Sequence, residues 1–332
     1  MQRSWGMSVI LLLCVSGFVA LGVVPVSWWQ EQFAYGQGDA VNFVVPADVS
    51  ENQLAEIIVA QGITRPAEEL VPLLADMGIV KTLRSGIYAA RPGTPWEVAM
   101  QLQGQTPRAE LFVLEEGIQP QELMLRLPRT GLDTATLLAS DDLFPEPLRS
   151  LLPGEPESRT ALLLPGIYVL SPDLPSTESI IRQASAAWWS KLGDQLGDAD
   201  AQEILSRASL AALVQKEAAQ EGDRAALAGV YVNRLAREIP LQSAAAIRFG
   251  LAREGLNTGA LTRNELRIDS PYNTFQRPGL PPSPICLPSE ASWRAALRPE
   301  NHEFLFVSVQ GDGHLVFSRT YKDHIAASGD RP

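Results

Sequence analysis

LAALVQKEAAQEGDRAALAGVYVNRL, residues 210–235, is the stretch from which the rest of the chain can be read. Leu210, Leu213 and Val214 recur at helical spacing, and the next position on that stripe is Glu217. Packing a carboxyl group against an apolar face disfavours its charged form and suits it to donate a proton near neutral pH. The plain alternative is a solvated mid-helix glutamate beside Lys216 and Gln220. Residues 203–220 and 223–237 read as two helices broken at Gly222, with Asp223 as N-cap of the second. Leu227, Val230, Tyr231 and Arg234 share one face of that second helix, so the pair is expected to form a hairpin whose inner wall includes Glu217.

Downstream, Pro240 ends the hairpin. LQSAAAIRFGL, residues 241–251, leads through a polar loop to a short helix expected over 262–266. The segment IDSPYNTFQRPGLPPSPICLP, residues 268–288, has too many prolines for a regular helix or a central strand and must run extended, with many unpaired carbonyls. It is a surface loop or a binding loop. Tyr272, Asn273 and Thr274 combine an aromatic plate with amide and hydroxyl groups, a mixture suited to sugar recognition. FLFVSVQGDGHLVFSRT, residues 304–320, reads as a hairpin around Gly-Asp-Gly, followed by a helix over 321–327.

Upstream, a strand at 41–45, helices at 53–60 and 67–77 and a strand in SGIYAARPG precede a helix beginning near Pro95. The plan recurs: a strand at 110–114, a helix at 120–127, then PGIYVLSPDLPSTESIIRQAS, in which Gly166-Ile167-Tyr168 answers Gly86-Ile87-Tyr88. A helix over 186–192, containing Trp188 and Trp189, closes the second copy. GDQLGDAD, residues 193–200, marks a boundary before the region that carries Glu217.

With 332 residues and 45% hydrophobic composition, two or three modules are expected. A net charge of -11 and the lack of a basic patch exclude a duplex nucleic-acid binder. Cys14 and Cys286 suggest no disulfide framework. His302, His314 and His324 match no metal-ligand spacing, so no metal or other cofactor is expected. Residues 4–30 carry no charge, and Trp5 to Val26 is long enough to cross a bilayer, with Arg3 before it. The positive-inside rule puts the remaining chain outside the cytoplasm. A cleaved signal peptide competes, but the apolar region is long for one.

LAALVQKEAAQ, GVYVNRL, LQS, DSPYNTF, RPGLPPSPICLP and GDGHLVFSRTYKDH resemble, in the same order, the motifs of the membrane-anchored endolytic murein transglycosylases, the MltG or YceG-like family. The resemblance covers about residues 40–327 and is most specific from Leu210 onward. It implies an α+β architecture: an N-terminal transmembrane helix (1–29), a first LysM-like module (40–105), a second strand-helix module (106–197), and a catalytic domain (200–332) with a helical hairpin and a β-hairpin. It implies a single-pass protein of the cytoplasmic membrane, its catalytic domain extracytoplasmic, cutting peptidoglycan glycan strands internally to leave 1,6-anhydro-muramyl ends. Association with cell-wall synthases is implied by the resemblance alone.

Carried over by motif, the catalytic acid falls on Glu217, and the substrate-binding residues on Gln242, Ser243, Tyr272, Asn273 and Thr274. Gln242 and Asn273 are expected to orient acetamido groups and Tyr272 to pack on a sugar face. The chain departs from the family at Gln215, where an acid is usual. It departs again at Ala244, Ala245 and Ala246, which replace polar residues in a loop expected near the substrate. A peptidoglycan-binding scaffold without activity and a muramidase using water are the competing readings.

Overall fold

The computed structural model describes residues 39–46, 48–127, 133–170, 176–256 and 261–328. The expected membrane segment lies outside the described residues. Among those, no helix is long and apolar enough to cross a membrane. The chain forms two compact units, one ending at Leu111 and one beginning at Phe112.

The first unit contains β1 (Val41–Val45), α1 (Glu51–Ala60), α2 (Ala67–Asp76), α3 (Ile79–Thr82), β2 (Gly86–Ala90), α4 (Pro95–Leu102) and the start of β3 (Ala109–Leu114). Alternation in β1 buries Phe43 and Val45 and leaves Val44 exposed. Capping boxes at Ser50–Gln53 and Thr94–Glu97 start α1 and α4, satisfying N–H groups that a helix start leaves free. β1 and β2 pair antiparallel from Val41↔Ala90 to Val45↔Gly86, and β2 continues onto β3 at Gly86↔Glu110. A Cβ at Gly86 would lie 2.5 Å from Pro107 and 2.7 Å from the Ala109 carbonyl, so only glycine lets β3 approach there. Leu54, Ile58, Leu70, Leu74, Tyr88 and Val98 fill the core between the helices and this sheet.

In the second unit the rest of β3 lies beside β4 (Gly166–Leu170). Between them come α5 (Pro120–Arg126), α6 (Thr134–Ala139) and α7 (Glu146–Arg149). After them come α8 (Ser176–Leu192), α9 (Ala201–Glu217), α10 (Arg224–Leu235), α11 (Ala244–Arg253), α12 (Glu290–Leu297), β5 (Phe306–Val309), β6 (Leu315–Ser318) and α13 (Tyr321–Ser328). One continuous core runs from Leu123, Leu138 and Leu162 through Trp188 to Leu213 and Trp293. Trp188 and Trp293 meet edge to face at 5.0 Å, and the Trp293 indole donates to the Ala161 carbonyl. The glycine- and aspartate-rich stretch at 193–200 therefore crosses a shared core: Leu196 and Ala199 are buried in it.

The internal repeat has a structural signature in the two tyrosines. Tyr88 on β2 and Tyr168 on β4 are both buried, and each donates its hydroxyl to the carbonyl four residues upstream, Arg84 and Leu164 respectively. Burial pushes the Tyr168 hydroxyl up to about 12.

Several elements differ from those expected of the sequence. The short helix expected over 262–266 is only a 3-10 turn, Glu265–Arg267. α9 stops at Glu217 because Ala218 is extended, three residues before the expected end at 220. Asp223 makes no side-chain cap on α10. Its carboxylate is turned across to β6, accepting the Leu315 N–H at 2.8 Å and standing 3.5 Å from His314 Nδ1.

Candidate active site

Glu217, the last residue of α9, is half-buried and faces a cleft of about 250 Å³. Leu227, Val230, Tyr231 and Arg234 on α10 form one wall, the face expected from their spacing. Leu241 and Gln242 follow, and Phe306, Val307, Val309, Leu315, Tyr321 and His324 from the hairpin and α13 complete the lining. Glu217 is the only carboxylate among the described lining residues. Its Oε1 accepts the Ser243 hydroxyl at 2.6 Å and the Ala245 N–H at 3.4 Å. The side chain thus stands between the carbonyl end of α9 and the amide end of α11. Tyr231 is buried on the wall; burial first, and the Glu217 carboxylate next, hold its hydroxyl well above its ordinary range, with Arg234 opposing both. It remains a neutral phenol.

Gln242 has φ 57, the left-handed region a side chain rarely occupies. Several bonds hold it there. Its N–H donates to the Thr274 carbonyl at 2.9 Å, and the Ser243 N–H donates to Thr274 Oγ1 at 2.9 Å. Arg234 donates to the carbonyls of Pro240 and Leu241 and, at 3.4 Å, to Gln242 Oε1. Ser243 then caps α11 by accepting the Ala246 N–H. The three alanines are therefore the first turn of a helix and not a loop, and what they present to Glu217 is backbone.

The Tyr272-Asn273-Thr274 triplet does not reach the cleft as expected. Asn273 is fully buried; its amide donates to the carbonyls of Leu266 and Ile268, and its Oδ1 accepts the Phe275 N–H. Tyr272 packs edge-on against Phe249 at 5.0 Å and bonds Ser283 through its hydroxyl. With their polar atoms spent on the protein, neither has the free face or amide that sugar contact requires. Thr274 serves the Gln242–Ser243 turn. Of the expected substrate contacts, Gln242 alone lines the cleft, and Ser243 stands behind Glu217.

The sequence profile of the YceG-like family matches residues 43–329. The chain belongs to the YceG-like family. It is 35% identical over 116 residues to the endolytic murein transglycosylase of Bacillus subtilis (strain 168), a match spanning 35% of this chain and 31% of that protein. It is 34% identical over 119 residues to that of Streptococcus pneumoniae serotype 2 (strain D39), spanning 35% and 22%. The matched segment thus spans less than a third of either relative's length. The fold is similar to the crystal structure of a YceG-like protein from Listeria monocytogenes, with a TM-score of 0.56 at 24% identity, covering 86% of this chain and 97% of that one.

In this YceG-like chain the GVYVNRL motif has a role its periodicity did not suggest: α10 is the docking face for the segment leading into the β-hairpin. Glu300 N–H donates to the Ala225 carbonyl, and His302 Nε2 stands 2.8 Å from the Ala226 carbonyl. A Cβ at Gly229 would come within 2.3 Å of the Glu300 carbonyl. Asn233 donates to the carbonyls of His302 and Phe304, and Arg234 to that of Leu305 at 2.6 Å. The polar residues of this motif thus set the wall of the cleft. An Asn-Arg pair on an otherwise apolar helix face was the available signal, because buried polar groups need partners.

Proposed function

We propose that this protein is an endolytic lytic transglycosylase of peptidoglycan, cutting the MurNAc-GlcNAc bond within glycan strands, with Glu217 as its acid and base. The observation that carries the reading is one carboxylate, half-buried in a cleft with no second carboxylate among its described lining residues. Hydrolysis by a retaining or inverting route uses two carboxyl groups. An intramolecular route needs one. Glu217 gives its proton to the glycosidic oxygen as the bond to C1 breaks; the muramyl C6 oxygen bonds C1, and its proton passes to Glu217. The leaving saccharide departs as an alcohol, and the enzyme ends as it began.

Ser243 and the Ala245 N–H fix Oε1, leaving Oε2 for the substrate. Gln242, held in its left-handed turn, and the neutral Tyr231 hydroxyl are the groups we assign to the sugar's polar substituents. Homologues named endolytic murein transglycosylase support the substrate class. On this reading residues 1–29 anchor the chain in the cytoplasmic membrane, residues 40–105 act as a LysM-like module, and residues 106–197, a second such strand-helix element sharing a core with 200–332, help to hold the catalytic region at the wall outside it, beside cell-wall synthases.

The test is mass spectrometry of purified sacculi digested by the full chain. The reading expects anhydro-muropeptides from the wild type and none from a folded Glu217→Gln variant. Reducing muramic ends would replace it with hydrolysis, and unchanged strand length with a binding scaffold.

A further inference from the structure

A second cavity, of about 520 Å³, opens in the same unit and shares no lining residue with the Glu217 cleft; Glu116, Glu221, Arg224, Ser289, Glu290 and Arg294 stand on its walls. Arg224 is 8% exposed. Its Nη1 donates to Ser289 Oγ at 2.7 Å, its Nη2 stands 4.0 Å from Glu116 Oε1, beyond hydrogen-bond range, and its Nε has no partner among the described residues. The Nε is sealed from the cavity, so the donor left open to an acceptor there is Nη2, which makes no hydrogen bond among the described residues.

The other charges divide cleanly. Glu290 and Arg294 satisfy each other through Oε1, with Lys191 3.8 Å from Oε2. Among the described residues Glu116 and Glu221 accept no side-chain hydrogen bond, Glu116 having only the distant Arg224. The cavity therefore offers a largely buried cation with one open donor, Nη2, beside two carboxylates that accept no hydrogen bond among the described residues. A phosphate would meet those carboxylates, and a lone cation would leave Arg224 unanswered. A group carrying a carboxylate and an ammonium together answers both.

We propose that this cavity binds the far end of a diamino-acid side chain in a peptide, where one carbon carries both a carboxylate and an ammonium group, Arg224 taking the carboxylate and Glu116 and Glu221 the ammonium group. The peptide's identity as the stem attached to the glycan rests on the murein reading above. Arg224 and Tyr231 lie two turns apart on α10, about 10 Å along its axis at the usual helical rise. One strand can thus seat a sugar in one cavity and its peptide in the other.

The probe is the free stem tetrapeptide, released from sacculi by an amidase and titrated calorimetrically into the full chain in detergent. Saturable binding is expected, weakened at least tenfold by Arg224→Gln. Glu221→Gln, at an exposed position, should weaken it several-fold, while the peptide acetylated at the diamino-acid side chain should bind the wild type and Glu221→Gln alike. No saturable binding to the wild type, or equal binding of the free peptide by wild type and Glu221→Gln, overturns the proposal. Because Arg224 is buried and its variant can fail to fold, the Glu221 result decides alone. The free peptide has no glycosidic bond, so a wild type that binds it without making anhydro products would refute the catalytic reading and leave the peptide site standing.

Discussion

Replacing Arg234 by methionine keeps an unbranched apolar stem and removes the guanidinium that joins the hairpin to the Gln242 turn. Arg234 is 7% exposed and its group sits 5.7 Å above the Phe306 ring. Burial draws the guanidinium below its ordinary range, but arginine begins so high that it stays charged at neutral pH. Its two best bonds, to the carbonyls of Leu305 at 2.6 Å and Leu241 at 3.0 Å, are each worth about 1.5–3 kcal/mol as bonds to a charged donor. The bonds to Pro240 and Gln242 are longer, share Nη1, and add little. Water reaching the freed carbonyls recovers part of the loss, so the net cost is about 3–4 kcal/mol, a large share of an ordinary domain's stability. Without the clamp, the left-handed Gln242 backbone, itself costing about 1–2 kcal/mol, relaxes and carries its amide out of the cleft. Urea unfolding followed by tryptophan fluorescence, with Trp188 and Trp293 both buried in this unit, measures the first effect; anhydro-muropeptide release measures the second. Arg234→Lys, a point charge unable to span two carbonyls, should fall between. A methionine variant within about 1 kcal/mol of wild type and fully active would refute this account of the turn.

Gly229→Ala sets helix propensity, about 1 kcal/mol in favour of alanine, against a Cβ that would lie 2.3 Å from the Glu300 carbonyl. The clash, typically about 1–3 kcal/mol, should win, and a raised denaturation midpoint would show that the strap yields. Ser243→Ala removes a helix cap worth about 1 kcal/mol together with the hydroxyl on Glu217, so kcat should fall more than stability explains; Ser243→Thr should restore both, and a threonine variant as slow as the alanine one would count against positioning by that hydroxyl. Burial first pushes the Cys286 thiol up to about 12, with Lys216 opposing, so the folded thiol stays neutral while the unfolded one ionises from about pH 9. Its contribution is complete below that pH and is lost as pH rises toward 12, at up to about 1.4 kcal/mol per unit. Cys286→Ala should therefore show a flatter decline in urea midpoint than wild type between pH 8.5 and 10.5, and parallel declines would contradict the burial.

The parts of the fold that were legible in the sequence are those where one period rules. β1, the 304–320 hairpin and the Leu227–Val230–Tyr231–Arg234 face follow directly from alternation or helical spacing. The cleft-facing position of Glu217 follows from the same spacing, a carboxylate interrupting an apolar stripe. The Tyr272-Asn273-Thr274 triplet was not legible, because residue type says nothing about direction. Carbonyls at and just before the proline-rich segment lack ladder partners, and the Asn273 amide, with the Gln276 amide and the Ser270 N–H, answers those of Leu266 and Ile268. Gln215 follows the same logic, its Oε1 accepting the Ser289 N–H and the Ser292 hydroxyl at the start of α12. Composition marks 193–200 as a boundary, and within it Leu196 and Ala199 contribute to the core of the second unit.

The three alanines carry the same lesson into the chemistry. Read as a loop, Ala244–Ala246 strip polar side chains from the substrate's surroundings and argue for lost activity. Folded, they begin α11 beneath a serine cap, and Ala246 is fully buried. A helix start supplies N–H groups from its backbone whatever side chains it bears. The one nearest Glu217 belongs to Ala245, at 3.4 Å, and alanine, the strongest helix former, favours the turn that points it there. The main chain at Ala245 therefore supplies the carboxylate with a polar partner beside the Ser243 hydroxyl. Ser243, Thr274 and Arg234 are the side chains whose bonds set where that turn begins.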